Sequence, residues 1–468
     1  MRIIISRAMV FAFPLFFCFP FRPREGYKLQ ELELTTEKMA AEGWAIARHN
    51  RFVIFVEGAL PGEKVIATMT RRKRKHAFAR VTQVVEPSPH RITPPCPMFG
   101  VCGGCSFQQM DYPAQVAMKR DVLLESLYGV PGAAENLADI IGADSPFYFR
   151  NKMGFAFGIH DGLPVLGLHR RGDWRSVVPA EACLLQSKTS NEIVQRALDL
   201  VRQNNISIYN DRDHTGCARH VVVREGKQTG ERMVHLHAGE PHPAFDDLPR
   251  LLDNLATTVL VSIHHGAPEN APAESTRVLS GPGLIREQLN GFTFEIGPAT
   301  FFQTNTLQAE RLFAKIMEWV GAAKVKNAVD LYAGTGPIAI HLGAVAANVL
   351  GIESNADSVR MAERNISLNN LSNVKMVCTE VEAATLAAFP AGTELVVVDP
   401  PRPGLHARAI NTLLAVAAPT LIYVSCNPAT LARDLKLLIH GGYRLEAVQP
   451  FDLFPHTFHI ETVALLRR

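Results

Sequence analysis

The chain has 468 residues, 47% of them hydrophobic and 20% charged. That length predicts about three domains, and the composition excludes disorder, collagen and coiled coil as whole-chain classes. Lysine plus arginine (48) exceed aspartate plus glutamate (45), but residues 71–80 (RRKRKHAFAR) hold six basic side chains and no acid, leaving 42 basic against 45 acidic elsewhere. The positive excess is therefore one local handle, read either as a solvated strand edge or as a contact for nucleic-acid phosphates.

Residues 1–27 differ in character from the rest of the chain. An apolar run of 14 at positions 8–21 (AMVFAFPLFFCFPF) lies between Arg2, Arg7 and Arg22, Arg24. It is short for a membrane span of about 17–25 residues and fits a signal-peptide core. Two internal prolines and the lack of a small-x-small cleavage site oppose that reading. The favoured expectation is a downstream start, for instance at Met39, because the rest reads as intracellular chemistry. No other stretch is apolar enough to span a bilayer.

Residues 28–88 read as five short strands, at 31–36, 43–48, 51–56, 64–71 and 78–85, with turn signals at Asn50 and Pro61-Gly62. Five such strands predict a small OB-like barrel, a fold that commonly holds nucleic acid. The basic run falls on its last turn, where Phe78 reads as a core residue sooner than as a stacking platform. Pro87, Pro89, Pro94 and Pro95 mark a linker.

Residues 89–290 open with Cys96-x5-Cys102-x2-Cys105, in which Gly103 and Gly104 let the backbone fold closely around an ion or cluster. A fourth ligand must come from elsewhere, and Cys183 is the nearest candidate. The eight cysteines (18, 96, 102, 105, 183, 217, 378, 426) do not form a disulfide framework. Four thiolates suit zinc and an iron–sulfur cluster equally. A helix is expected at 112–128, and alternating segments at 153–158, 220–224 and 233–238 predict an antiparallel sheet.

Residues 291–468 alternate strand and helix: strands at 328–331, 348–352, 395–398 and 420–424, helices from Pro337, from Asp357 and near Ala407. That rhythm is a doubly wound parallel sheet, which binds ligands beyond the carboxyl ends of its strands. The first strand runs through Asp330 and Tyr332 into a turn on Gly334 and Gly336, lacking the third glycine of a pyrophosphate binder. Glu353 ends the next strand, where a carboxylate can take both hydroxyls of a ribose. Asp399-Pro400-Pro401-Arg402 and Ser425-Cys426-Asn427-Pro428 end two more, and a cysteine so placed beside Asp399 faces the crevice. Glu461 starts a terminal strand and on its own reads as a surface carboxylate.

Residues 29–468 resemble the uracil-5 RNA methyltransferase family, in particular its iron–sulfur-containing 23S ribosomal RNA branch with an N-terminal TRAM domain. The resemblance is carried by Phe301-Phe302-Gln303-Thr304-Asn305, the turn from Asp330 to Gly336, Asp399-Pro400-Pro401-Arg402-Pro403-Gly404, the segment from Ser425 to Asp434 (SCNPATLARD) and that from His456 to Thr462 (HTFHIET). It implies an α/β fold: a Rossmann-like class I methyltransferase domain with a TRAM barrel and a central β-rich iron–sulfur domain. It implies a [4Fe-4S] cluster on Cys96, Cys102, Cys105 and Cys183, and S-adenosylmethionine held by Gln303, Tyr332, Glu353 and Asp399. It implies Cys426 as nucleophile and Glu461 as general base for methylating C5 of a 23S rRNA uridine. Four cysteines close every corner of the cluster, so a structural or RNA-positioning role is expected rather than radical chemistry. A transfer-RNA uracil-5 methyltransferase is the nearest rival. A non-catalytic RNA-binding or assembly factor would not need Cys426, Glu461 and Asp399, and Arg402 disfavours an amino methyltransferase. A cytoplasmic monomer is expected, without DNA or stable membrane association.

Overall fold

Alternation of small apolar with polar residues closes the first strands into a barrel. In the computed structural model, which describes residues 30–265, 273–321, 325–384 and 386–468, these are β1 (Glu31–Met39), β2 (Ala45–His49), β3 (Phe52–Glu57), β4 (Lys64–Arg72) and β5 (His76–Glu86), in the order β1-β2-β3-β5-β4. Leu34, Ala45, Ala47, Ile54, Val56, Val65, Ala67, Ala77 and Ala79 fill the interior. So many alanines suit a barrel whose lumen is too narrow for large side chains. The buried Glu63 carboxylate accepts the Leu60 N–H (2.7 Å) and the Ser88 N–H (3.1 Å), tying the barrel's exit to the loop before β4. The apolar run at 8–21 lies outside the described residues. A start at Met39 is corrected by the fold: Met39 is the buried last residue of β1, so such a start would remove the ladder that β1 makes with both β2 and β4.

The chain divides into two compact units, the barrel ending at Pro89 and a second unit from His90 to Arg468. The second begins with α1 (Tyr112–Ser126), N-capped by Asp111, and the one-turn α2 (Ala133–Asn136). Its first sheet has the order β12-β11-β10-β9-β6-β7-β8, built from β6 (Lys152–His160), β7 (Leu163–Arg170), β8 (Asp173–Pro179), β9 (Ala218–Glu225), β10 (Arg232–Ala238), β11 (Thr258–Ile263) and β12 (Ser275–Ser280). The helices α3 (Lys188–Gln203) and α4 (Leu248–Leu251) pack in a core with Phe155, Val221, Val234 and Val261. The expected antiparallel pairing holds except between β10 and β11, which run parallel because the chain crosses back through α4. A hairpin of β13 (Ile285–Leu289) and β14 (Phe292–Ile296) turns on Asn290-Gly291, both at positive φ, and leads into α5 (Thr306–Val320).

The last sheet has the order β17-β16-β15-β18-β19-β21-β20. Its elements are β15 (Val325–Leu331), α6 (Pro337–Gly343), β16 (Ala346–Glu353), α7 (Ala356–Leu368), β17 (Val374–Cys378), β18 (Leu395–Val398), α8 (Ala407–Val416), β19 (Thr420–Ser425), α9 (Pro428–His440), β20 (Arg444–Phe451) and β21 (Glu461–Arg467). Six strands point the same way, but β21 runs antiparallel to both of its neighbours, β19 and β20, so the sheet is mixed rather than wholly parallel. The link between β20 and β21 carries no crossover helix, and a parallel return needs one. Direction matters here: the register sets Thr462 opposite Ser425, so the start of β21 lies at the carboxyl end of β19.

Candidate active site

The strand order reverses between β15 and β18, and beyond their carboxyl ends open sheets of this kind form a ligand crevice. The turn after β15 is built on three left-handed residues, Tyr332 (φ 62°), Gly334 (φ 56°) and Gly336 (φ 83°). A tyrosine there is strained. Its hydroxyl donates to Glu382 (2.9 Å), which braces it from the loop after β17. Gly334 has no atom within 4 Å of a Cβ position, leaving open space beside the turn, whereas at Gly336 a Cβ would sit 3.2 Å from that of Ala362. Glu353 accepts the Gly334 N–H (3.0 Å) and the Asn355 N–H (2.7 Å), so its carboxylate joins the turn to the start of α7. Thr335 reaches the Phe301 carbonyl (3.5 Å), laying the Phe301–Gln303 segment against the same turn. The Gln303 carbonyl accepts from the Asn151 side chain (2.8 Å), and Phe301 is 64% exposed.

Beneath the turn, Asp330 is fully buried with no hydrogen bond of ordinary geometry, although the Ala339 amide lies near. Burial, with Asp399 and Glu353 nearby, lifts its carboxyl well above the usual carboxylate range. Asp399 is pushed up to about 6 by burial. The loop after Asp399 is fixed through the Arg402 carbonyl, which accepts from Asn427 (3.1 Å) and Thr430 (3.3 Å). The Asp434 carboxylate also holds it, accepting the Leu405 N–H (2.8 Å) and the Tyr423 hydroxyl (2.7 Å). The Arg402 guanidinium donates to the His459 ring (2.9 Å to Nδ1). Burial and the Arg402 charge hold that imidazole down to about 4, so it is neutral and can accept.

Cys426 is half-buried between β19 and α9, whose first turn is capped by Asn427. Burial pushes its thiol up to about 11, Glu461 and Asp399 push the same way, and Arg402 opposes them. Glu461 is 3% exposed, which corrects its reading as a surface carboxylate. Burial and Asp399 raise it well above the glutamate value, again against Arg402. Cys426, Asp399, Glu461 and Arg402 thus share one electrostatic neighbourhood. Sequence reasoning assigned no role to His459, Glu382 or Asp434. The signal for His459 was its place in the His456–Thr462 segment.

The four cysteines singled out in the sequence line one small cavity of about 30 Å³, together with Met98, Phe99 and Gln108. Cys105 Sγ accepts from Gln108 (3.2 Å) and Cys102 Sγ from the Gly104 N–H (3.3 Å). Burial pushes Cys105 up to about 12 and raises Cys102 and Cys183, with neighbouring sulfurs adding to the first two and Cys96 to the third. Among the described residues no group of three or more His, Cys, Asp or Glu side chains closes on the position of a metal ion.

On the barrel, Phe78 is not a core residue. Ala77 and Ala79 take the inward positions of β5, so Phe78 faces out, as the twofold alternation of a strand requires. Its ring lies 5.3 Å from Trp44, 5.5 Å from Phe55 and 5.3 Å from His76, with Lys73 Nζ 5.7 Å from its centroid. Residues 71–75 are exposed around the turn from β4 to β5. Positive charge and aromatic faces therefore occupy one outer surface of the barrel.

Comparison with known proteins bears on this arrangement. The family model described as tRNA (Uracil-5-)-methyltransferase matches residues 284–468, and the TRAM domain model matches residues 26–82. An uncharacterized RNA methyltransferase of Gloeobacter violaceus is 38% identical over 456 residues, covering 96% of this chain and 99% of the relative. One from Halalkalibacterium halodurans is 33% identical over 442 residues, covering 93% and 96%. Among solved structures, the Pyrococcus abyssi tRNA (uracil-54, C5)-methyltransferase in complex with S-adenosyl-L-homocysteine matches with a TM-score of 0.75 at 29% identity, over 93% of this chain and 100% of that one.

Proposed function

Because the chain belongs to the uracil-5 RNA methyltransferase family and carries a TRAM domain, we propose that it methylates C5 of a uridine in 23S ribosomal RNA through a covalent bond from Cys426 to C6. The observation that carries this reading is the antiparallel direction of β21, which brings Glu461 to the strand end where Cys426 and Asp399 lie. We assign residues 28–88 to RNA binding, 89–290 to the cysteine site and 291–468 to methyl transfer.

S-adenosylmethionine, when bound, supplies an electrophilic methyl group on a positively charged sulfonium. The open space at Gly334 and the orphaned acid beneath it fit such a ligand, with Gln303, Tyr332, Glu353 and Asp399 as its contacts. Uracil C5 is too weak a nucleophile to take a methyl group unaided. Addition of the Cys426 thiolate at C6 moves the ring electrons toward the C4 carbonyl and makes C5 carbanion-like. Burial and the two neighbouring acids hold the group as the thiol, so addition is favoured by whatever lowers its pKa on binding. Balancing the Asp399 charge acts in that direction, and the Arg402 charge left unpaired beside the thiol does the same. Once C5 carries the methyl group, Glu461 takes the C5 proton. The C5–H electron pair re-forms the C5=C6 bond and the C6–S bond breaks. A carboxylate raised by burial is a stronger base than a solvated one, which suits it to this step.

Cys96, Cys102, Cys105 and Cys183 would hold a [4Fe-4S] cluster. Four thiols lining one cavity support a thiolate-bound centre there, and the choice of a cluster over zinc rests on the family resemblance. The exposed charge at residues 71–75 and the rings of Phe78 and Trp44 suit a single-stranded RNA segment. A second reading, a transfer-RNA substrate, is favoured by the substrate of the Pyrococcus abyssi enzyme.

Tritium release from 5-tritiated-uridine 23S rRNA and transfer-RNA transcripts, offered in competition with S-adenosylmethionine present, tests both readings. Release from the ribosomal RNA, abolished in Cys426→Ser, is expected. Release from the transfer RNA alone would replace the first reading with the second, and release that persists in Cys426→Ser would remove the nucleophile.

A further inference from the structure

The chain between β20 and β21, residues 452–460, ends on Glu461, yet much of what holds it comes from α1 and the segment before that helix. Lys119 Nζ, 1% exposed, donates to the Asp452 carboxylate (2.6 Å), the Phe454 carbonyl (3.1 Å) and the His459 carbonyl (3.0 Å). These acceptors use all three donors of an ammonium group, and the last lies two residues before Glu461. Gln115, one turn earlier on α1, accepts the His456 N–H (3.1 Å) and donates to the Phe107 (3.0 Å) and Met110 (2.8 Å) carbonyls. The His456 carbonyl in turn accepts the Ser106 N–H (2.7 Å) and the Phe107 N–H (3.1 Å). Tyr112, on the same face, donates to the other Asp452 oxygen (2.9 Å).

A fully buried lysine is a poor means of stabilising a fold, because an apolar residue of similar volume often serves as well or better. What an apolar residue cannot do is hold three acceptors of one loop at fixed distances. We propose that Lys119 is a positioning residue for proton removal, its three hydrogen bonds setting the 452–460 loop and with it the approach of Glu461 to the C5 proton. This rests on Glu461 being the base. None of the Lys119 hydrogen bonds ends on β19 or α9, which carry Cys426. Loosening the loop reaches the Cys426 side only through the Arg402–His459 hydrogen bond, so thiolate addition and methyl transfer are slowed less than proton removal. It slows the last step, in which Glu461 takes the proton, C5=C6 re-forms and the C6–S bond breaks.

The test uses the full chain with 5-tritiated-uridine RNA and methyl-labelled S-adenosylmethionine, reading methyl incorporated, tritium released and denaturant-resistant protein–RNA adduct. Lys119→Met/Asp452→Leu removes both charges together and leaves no unpaired buried ion. Tyr112→Phe keeps the ion pair and removes one hydrogen bond. In the double variant tritium release is expected to lag methyl incorporation by about tenfold or more while adduct accumulates, with a smaller lag in Tyr112→Phe. Methyl and tritium falling in a constant ratio without adduct would overturn the proposal. If the double variant does not fold, Tyr112→Phe decides alone, and an unchanged ratio there overturns it. Wild-type protein that releases tritium while Glu461→Gln forms no adduct removes the base assignment, and this proposal with it.

Discussion

At Cys426 the surroundings work against the charge that the proposed chemistry needs. Burial, Glu461 and Asp399 all favour the thiol over the thiolate, and Arg402 alone pulls the other way. Asp399→Asn removes one raising charge, so alkylation of Cys426 by iodoacetamide at pH 7.5 becomes faster, whereas Arg402→Gln makes it slower. Peptide mapping of the alkylated protein separates Cys426 from the exposed Cys378 and reads both signs. Glu461 gives a stability test. Its folded-state pKa is raised, so between the ordinary value of 4.5 and that raised value the native state holds a proton that the unfolded chain has lost. Stability contributed by that proton is full below the window and is lost as pH rises through it. Glu461→Gln is therefore expected to melt higher than wild type at pH 7.5, with the difference closing near pH 4; a lower melting temperature at pH 7.5 would contradict this. Of these residues, Cys426 and Asp399 were legible as strand-end groups. Glu461 was legible through resemblance alone, because the start of a terminal strand says nothing about burial. Phe78 misled for a local reason: in His76-Ala77-Phe78-Ala79-Arg80 the bulky apolar residue looks like the core residue, but in a barrel this narrow the alanines go inside.

At the scale of elements, the turn between β15 and α6 shows how backbone geometry makes room for a ligand. Gly336 and Gly334 both sit at positive φ, but only a Cβ at Gly336 meets a neighbour, Ala362 at 3.2 Å. Gly336→Ala is expected to cost about 1–2 kcal/mol and Gly334→Ala about 1 kcal/mol in urea unfolding, the excess coming from the packing of α6 on α7. Equal losses would show that the strain against Ala362 relaxes freely. Helix starts at Pro337 and near Asp357 and Ala407 and the apolar strand of residues 395–398 were readable from their caps, prolines and apolar runs. The direction of β21 was not, because hydrophobic periodicity is the same whichever way a strand runs. That unread direction is what sets Glu461 beside Cys426. The strands β11 and β12 escaped for another reason: β11 is buried along its whole length and carries no alternation, and β12 is largely exposed.

For the whole molecule, the net charge of +3 conceals a division of labour. The second unit builds the crevice from buried acids and a thiol, while the barrel carries exposed basic residues at 71–75 beside Phe78 and Trp44. Glutamine at all five positions is expected to raise KM for RNA and leave kcat within about twofold, since uniform binding is weakened and the chemistry is untouched. The dependence of log affinity on log salt should become shallower by up to about 3.5, at about 0.7 for each phosphate no longer neutralised on single-stranded RNA. A fall in kcat with KM unchanged would place those residues in the chemical step instead. The central claim is that Cys426 bonds to the uridine and that Glu461 releases it. The most direct measurement is mass spectrometry of the protein–RNA adduct formed by Glu461→Gln with S-adenosylmethionine and substrate RNA. A methylated uridine nucleotide attached to the peptide containing Cys426 is expected; no adduct, or one mapped to another residue, would rule out the covalent step.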